Sequence, residues 1–485
     1  MPQAKVQHPQ HSASASTIVT NSDRPSSPGV SSLRSHASRT TGSDDISTPI
    51  EQFEINEEGT EADADADVSG VRRSNGHGLP PVDGGWGAWT YLAAATALEM
   101  LIWGFANSYG VFLDHYDTIY PKSSMLPIIG TVAMGIMYTL LCPATLWLTS
   151  HPRQRIPAMW VGVVFLGAGL LGAAFAESAG GLVVTQGVLY GIGGTLLWCP
   201  PTNYMFEWFH SKRGLAAGIM LSGTGAGGLF MPLISIGLLE RFGKRTTLLA
   251  IGIGYIILLT LIIPFVRPRL PLSQQTTTRI PKVNWDFLKH APFWMLWLGV
   301  LFQGLAAFMP STYLPSYATA LSLSPTIGTI AIALMNTARV PGQVFLGYLA
   351  DKLGARKLII SMALASGISV FAGWGAAKDS GGLIGFSIAF GIFAGSYTAL
   401  LSSFTKVLNH DDPHLPAILY ALFYLARGIG SIISGPISAA LMNHTTLGNA
   451  KGGYGVQGFG VLILWTGAGM IMSGIGAGYK TFKMD

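Results

Sequence analysis

The feature that most constrains this chain is a series of twelve apolar stretches, each about long enough to cross a bilayer as a helix. A hydrocarbon core of about 30 Å takes about 20 helical residues, and lipid offers no partner to an unpaired backbone group. The stretches lie at 86–113, 125–148, 157–176, 181–205, 214–238, 246–266, 292–313, 325–347, 357–377, 381–404, 415–441 and 456–478. Charged residues make up only 11% of the chain, about half the share in soluble domains. The widest polar interval, 267–291, holds Arg267, Arg269, Arg279, Lys282 and Lys289 and divides the stretches six and six. The expected fold is an all-α membrane protein of twelve transmembrane helices in two pseudo-symmetric six-helix bundles. The bundles would occupy 81–266 and 292–480, joined by a cytoplasmic linker over 267–291.

Residues 1–80 read differently. They are rich in Ser, Thr, Asp, Glu and Gly, and Glu51–Asp67 carries acids and no base. Such a segment buries too little apolar surface to offset its ordering entropy, so it is expected to be a disordered cytoplasmic tail. It lacks the apolar core of a secretory signal. Residues 481–485 form a second short tail. Basic residues flank the apolar stretches instead of forming one face, which argues for lipid headgroups and against nucleic acid. With the N-terminus inside, the inner side collects Arg72, Arg73, Arg153, Arg155, Lys212, Arg213, the linker bases, Lys352, Arg356, Lys357, Lys406, Lys480 and Lys483. The outer side receives Lys122, Arg241, Lys244, Arg245, Lys378 and Lys451. The positive-inside rule therefore puts both termini in the cytoplasm. The loop Glu240–Arg245 runs against it locally. Asn443-His444-Thr445 is then an outer-side glycosylation sequon.

Three motifs stand out. Gly347-Tyr-Leu-Ala-Asp351-Lys352-Leu-Gly354-Ala-Arg356-Lys357 follows the eighth stretch. Its small residue permits close helix approach, its acid suits a helix N-terminus, and its cations could pair across a gate. The equivalent loop of the first half, Thr149–Arg155, has no acid, so the gate should lean on the second half. Asp83-Gly84-Gly85-Trp86-Gly87 opens the first stretch. Trp208-Phe209-His210-Ser211-Lys212-Arg213-Gly214-Leu215-Ala216-Ala217-Gly218 opens the fifth. The first motif resembles the loop signature of the major facilitator superfamily. The other two together resemble the signatures of its monocarboxylate-porter-like family, in the fungal branch. The resemblance covers roughly residues 80–480 and implies alternating access by two rocking bundles around a central site.

The resemblance also exposes departures. Animal lactate carriers place a lysine near the outer end of the first span, and Asn107 takes that position here. They place an Asp one turn before an Arg in the eighth span. Here Arg339 remains, but Met335 stands where the Asp would be. The resemblance thus implies an anion contact at Arg339 without implying lactate–proton symport.

Ionisable groups within a span usually face a partner or a cavity, because mid-bilayer charge costs about 2.5–3.5 kcal/mol on insertion scales. Arg339 could clamp a carboxylate with two parallel hydrogen bonds. Arg427 reads as a packing or gating pair. Glu99 is a proton acceptor or a structural counter-charge. Asn107 and Tyr397 are candidate substrate contacts, and Trp103, Tyr190, Trp198, Tyr313 and Tyr420 could line a cavity. Glu207 could pair with Lys212 or Arg213. No phosphate-binding Gly-rich loop and no metal-ligand spacing is present, so no cofactor, metal or catalytic residue is expected. Cys142 and Cys199 lie in apolar stretches and predict no disulfide.

The reading is a secondary active transporter of a small organic solute, exporting or exchanging a carboxylated or ring-bearing secondary metabolite, with or without a proton. The alternatives are proton-coupled uptake of a monocarboxylate or nutrient and, more remotely, a non-transporting receptor. The expected location is the plasma membrane, with a vacuolar or vesicle membrane as the alternative.

Overall fold

Nine helices among the described residues are long and apolar enough to cross a bilayer. The structure is a computed structural model. It describes residues 79–120, 123, 125–271, 285–408, 414–443, 454–456 and 458–478, all within the unit His77–Asp485. Most of the acidic tail, the centre of the linker, residues 481–485 and the sequon beyond Asn443 lie outside the described residues.

Twelve spans follow from the nine helices by two steps. Arg213–Phe265 has 53 residues, which at 1.5 Å per residue is about 80 Å, far more than one crossing. It breaks at Gly243, where φ is 68° and ψ is −180°, a backbone that side chains disfavour. It therefore makes the fifth and sixth spans. Two helices with polar interior residues complete the set, Trp86–Asn107 and Pro325–Lys352. The others are Leu126–Ser150, Pro152–Phe175, Ala179–Trp208, Ala291–Ala320, Ala355–Trp374, Ser380–Leu408, Leu415–Met442 and Gly460–Ala477.

The two halves repeat details as well as number. The first span breaks at Ser108 and continues as Tyr109–Ile119. The seventh breaks at Phe308 between Ala291–Ala307 and Met309–Ala320. The fourth opens on Ser178-Ala-Gly-Gly-Leu182 and the tenth on Asp379-Ser-Gly-Gly-Leu383. In each the first side chain caps the helix, Ser178 accepting from the Gly181 N–H and Asp379 from the Gly382 N–H.

Packing within and between halves rests on small residues. In the first half the first span lies along the fifth and sixth, and the third against the fourth and sixth. A methyl group on Gly227 would meet the Met100 carbonyl and the Gly104 Cα. The halves meet where the fifth span packs on the eighth and the second on the eleventh. Large apolar side chains such as Val164, Phe175, Leu261, Phe345 and Ile368 are exposed on the outside, as a lipid-facing surface requires.

The charged segment Glu240–Arg245 is one sharp turn instead of a loop. Lys244 Nζ donates to the Ala176 carbonyl at 2.6 Å and to the Tyr120 hydroxyl at 3.2 Å. Arg245 lies 4.7 Å from the Phe175 ring centroid. These cations close the end of the third span, where orphan carbonyls attract positive charge. That local role accounts for their exception to the charge bias.

Candidate functional site

The first helix turns one face to the fifth span and another to the middle of the molecule. Thr96, Met100 and Gly104 pack on Gly223 and Gly227. Glu99, Trp103 and Asn107, each four residues apart, form the neighbouring stripe. Glu99 is 2% exposed. Its Oε1 accepts from Trp198 Nε1 at 2.6 Å, and its Oε2 is buried without a hydrogen-bond partner among the described residues.

Aromatic rings from both halves surround this carboxylate. Trp198 stands edge-on to Trp103 at 5.1 Å and to Tyr424 at 4.8 Å between centroids. Tyr138 of the second span leans on Trp103 at 4.9 Å and stacks on Tyr424 of the eleventh at 5.8 Å. The Tyr420 hydroxyl donates to that of Tyr424 at 3.4 Å. Tyr190 and Tyr313 sit elsewhere. Tyr190 bonds the Ile102 carbonyl and Tyr313 bonds Ser438, so both are occupied in helix packing.

Two guanidiniums come from the second half. The stem of Arg339 passes Gly395 of the tenth span, and its buried Nε has no hydrogen-bond partner among the described residues. It lies in the repulsive field of Arg427 and the attractive field of Glu99 but forms no ion pair with Glu99. Arg427 is buried and donates through Nη1 to Gln303 Oε1. Gln303 in turn donates to the Ala394 carbonyl at 3.0 Å. The Arg427 guanidinium also lies 5.3 Å from the Phe308 ring centroid. Its partner is therefore a neutral amide, and its charge is not cancelled. Tyr397 is buried, its hydroxyl is unpaired among the described residues, and it lies within the field of Arg427. The centre holds two guanidiniums against one carboxylate, with orphan polar atoms on Glu99, Trp103, Arg339, Arg427 and Tyr397. Buried polar atoms rarely go unpaired without a reason, such as a ligand or proton yet to arrive. Asn107 is half-buried at the helix break, and its amide makes no hydrogen bond with other described residues.

The sequence motifs converge on the start of the fifth span. Asp83 Oδ1 accepts from the His210 and Lys212 N–H groups at 2.8 and 2.9 Å. Its Oδ2 accepts from the Ser211 N–H and hydroxyl at 3.0 and 2.9 Å, and Lys212 Nζ reaches the Asp83 carbonyl at 3.2 Å. Burial alone would raise the Asp83 pKa. The N–H donors of Lys212, Ser211 and His210 and the Ser211 hydroxyl outweigh it and hold the group below the ordinary carboxylate value. Beyond Arg213, the N–H groups of Gly214 and Leu215 point to the opposite half, to Asp351 Oδ1 and Oδ2, both at 2.8 Å. Lys406 completes the join, 2.8 Å from Asp351 Oδ1 and 3.1 Å from the Ser211 carbonyl. The helices can approach this closely because Gly347 lies against the Gly214 carbonyl, and Gly218 against the Gln343 carbonyl. Ala216 is buried beside them. At the first signature, Gly85 takes φ 83° against Pro81, and a methyl on Gly87 would press on Trp208; Gly84 has open space. Trp86 is exposed.

Two pairings differ from expectation. Lys352, Arg356 and Lys357 are exposed and form no ion pair with another described residue. Lys352 instead lies 4.8 Å from the Tyr348 ring centroid. One residue of helix rotates by about 100°, so the position after Asp351 points away from it, and the cation that pairs with Asp351 is Lys406 of the tenth span. Gly354 caps the ninth helix with open space around it. Glu207 pairs with Arg155 at 2.6 Å instead of Lys212 or Arg213. Arg213 is buried and donates to the Phe209 carbonyl at 3.1 Å, which leaves the basic loop of the first half to hold Glu207. Tyr138, Tyr424, Gln303 and Lys406 were not singled out by the sequence. A polar Gln303 in an otherwise apolar stretch was the one available signal.

A family profile described as Major Facilitator Superfamily matches residues 92–435. Among similar curated proteins is the MFS transporter asaE of Aspergillus flavus, 25% identical over 409 residues, covering 82% of this chain and 90% of that protein. The Fujikurins efflux protein of Gibberella fujikuroi is 27% identical, covering 80% and 83%. The Probable transporter MCH2 of Saccharomyces cerevisiae is 28% identical, covering 65% and 66%. Among solved structures, FucP in the outward conformation aligns with a TM-score of 0.60 at 13% identity, covering 80% of this chain and 98% of that one. The proton:xylose symporter XylE gives 0.60 at 14% identity, covering 80% and 94%. At those identities the structures bear on the fold alone.

Proposed function

The chain belongs to the Major Facilitator Superfamily of membrane transporters, and we propose that it exports or exchanges a carboxylated, ring-bearing metabolite across the plasma membrane by alternating access. The observation that carries this reading is the unbalanced centre: Arg339 and Arg427 against Glu99, inside a cage of aromatic rings. A planar guanidinium with a free edge suits a carboxylate, and flat rings suit a flat solute. The efflux protein named among the relatives supports the outward direction. In this reading 81–266 and 292–480 rock against each other about the centre. The Asp351 end faces the cytoplasm with both termini, and Asn107 and Tyr397 contact the solute.

Glu99 carries the coupling proton in this scheme. Its unpaired oxygen is the site for that proton, and its electrostatic pull on Arg339 across the two halves ties protonation to their motion. The same geometry supports proton-coupled uptake if the gradient drives the cycle inward, which keeps that second reading alive.

The test compares intracellular and external metabolites, untargeted, with and without the gene. Arg339→Lys should reproduce most of the deletion pattern, because a point charge cannot replace the fork. A wild-type pattern in that variant would remove the carboxylate reading. The same measurement decides the direction of transport.

A further inference from the structure

Trp198 is fully buried in the fourth span and touches both halves. Its indole N–H donates to Glu99 of the first span at 2.6 Å. Its ring stands at 84° to Tyr424 of the eleventh, 4.8 Å away, and Tyr424 stacks on Tyr138 of the second. The seam between the halves at this depth is therefore aromatic, and one of its rings is anchored to an ionisable group.

We propose that Trp198 is the positioning residue that transmits the charge state of Glu99 to the contact between the two halves. The inference rests on Glu99 being the coupling group. An ionised carboxylate holds the indole N–H by a charge-assisted bond, roughly twice as strong as a neutral one. In the same state it faces Arg339 of the opposite half as a counter-charge. A proton on Glu99 weakens both links at once. Trp198 is then free to leave its edge-on contact with Tyr424, and Arg339 keeps the like charge of Arg427 without that counter-charge. The other groups around Glu99 do not substitute for it. Tyr91 on its own helix and Tyr420 and Tyr424 on the eleventh are phenols within its field. On the fifth span a methyl at Gly223 would meet the Glu99 Cβ, and Tyr138 of the second span lies within the fields of Arg339 and Tyr424.

The test uses the full chain in nanodiscs, with Cys142 and Cys199 replaced by alanine. Spin labels are placed on the exposed Thr118 and Thr319, at the far ends of the first and seventh spans. Double electron–electron resonance gives their distance distribution from about pH 5 to about pH 9, the range over which buried carboxyls titrate. The parent should shift between two distributions. Trp198→Phe keeps the ring and removes the N–H, so it should show less than about a third of that shift. Glu99→Gln should stay in the low-pH distribution throughout, and this holds even if Trp198→Phe does not fold. A full shift in Trp198→Phe overturns the role of Trp198 while leaving Glu99 in place. A full shift in Glu99→Gln overturns the reading of Glu99 itself, and a parent with no shift overturns the inference outright.

Discussion

Asp351→Asn isolates the join between the halves. In the native chain Asp351 accepts two backbone N–H bonds at 2.8 Å from Gly214 and Leu215 and pairs with Lys406, which is about a third exposed. Hydrogen bonds to a charged group contribute about 1.5–3 kcal/mol each, and a partly exposed ion pair adds no more than about 1 kcal/mol. Asparagine keeps one acceptor oxygen, but its amide nitrogen would confront a donor. The closed join should therefore lose about 2–3 kcal/mol, a shift of about 30- to 150-fold in the closed-to-open ratio. A join favoured by about 100 to 1 would become nearly balanced. Spin labels on the exposed Arg153 and Arg356, in a background without Cys142 and Cys199, report this end directly. The expected result is a second, longer distance in Asp351→Asn that is a minor component in the parent. If the two distributions superimpose, the join is not what holds this end closed. A matching effect of Gly347→Ala, which keeps the charge and only blocks helix approach, would show that proximity and charge act together.

Other perturbations follow from the same geometry. Because Asp83 is held below its ordinary pKa, its stabilisation is present above the unfolded value of about 4 and is lost as pH falls through the folded value. The melting temperature of the native chain should thus exceed that of Asp83→Asn by a constant amount above about pH 5, with the gap closing in more acid buffer; a gap that stays constant would contradict the capping role. Gly227→Ala forces a methyl onto the Met100 carbonyl and should cost about 1–3 kcal/mol, whereas Gly237→Ala meets nothing within 4 Å and should leave the melting temperature unchanged. Arg155→Met removes the cationic partner of the largely buried Glu207 but leaves the backbone N–H bonds it accepts from Leu270 and Arg269, so it should cost about 1–3 kcal/mol, read as a drop in thermal stability in detergent; an unchanged melting temperature would mean that the ion pair contributes nothing to stability.

Span number and order were legible in the sequence because apolar length is set by bilayer thickness, which leaves little freedom. Breaks were less legible. Ser108 interrupts its helix with no proline nearby, so nothing local announces that break, whereas Pro310 stands in the first turn after Phe308 and cannot donate back across it. Gly243 was hidden because the charges around it read as a loop. At the centre, Glu99, Arg339 and Arg427 were legible since charge in an apolar run is conspicuous. Tyr138 and Tyr424 were not, because an aromatic residue in a membrane helix has many uses. Lys406 was visible only as one more inner-side base, since its partner lies 55 positions earlier.

The join also explains why the two signature motifs occur together. Asp83 and Asp351 stand 268 positions apart by their numbering, yet both serve the N–H groups at the head of the fifth span. A helix start offers about four orphan donors. Asp83, from the same half, takes those of the preceding turn and fixes how the remainder are presented. Asp351, from the other half, takes Gly214 and Leu215. In the proposed cycle the first carboxylate has no need to move, since it and the fifth span belong to one half, whereas the second must let go. This division predicts unequal consequences: loss of Asp83 should disorder the donors and lower stability in every state. Loss of Asp351 should leave the melting temperature of each half nearly intact and shift only the balance between states. Equal effects of the two substitutions on both stability and distance distribution would contradict the division.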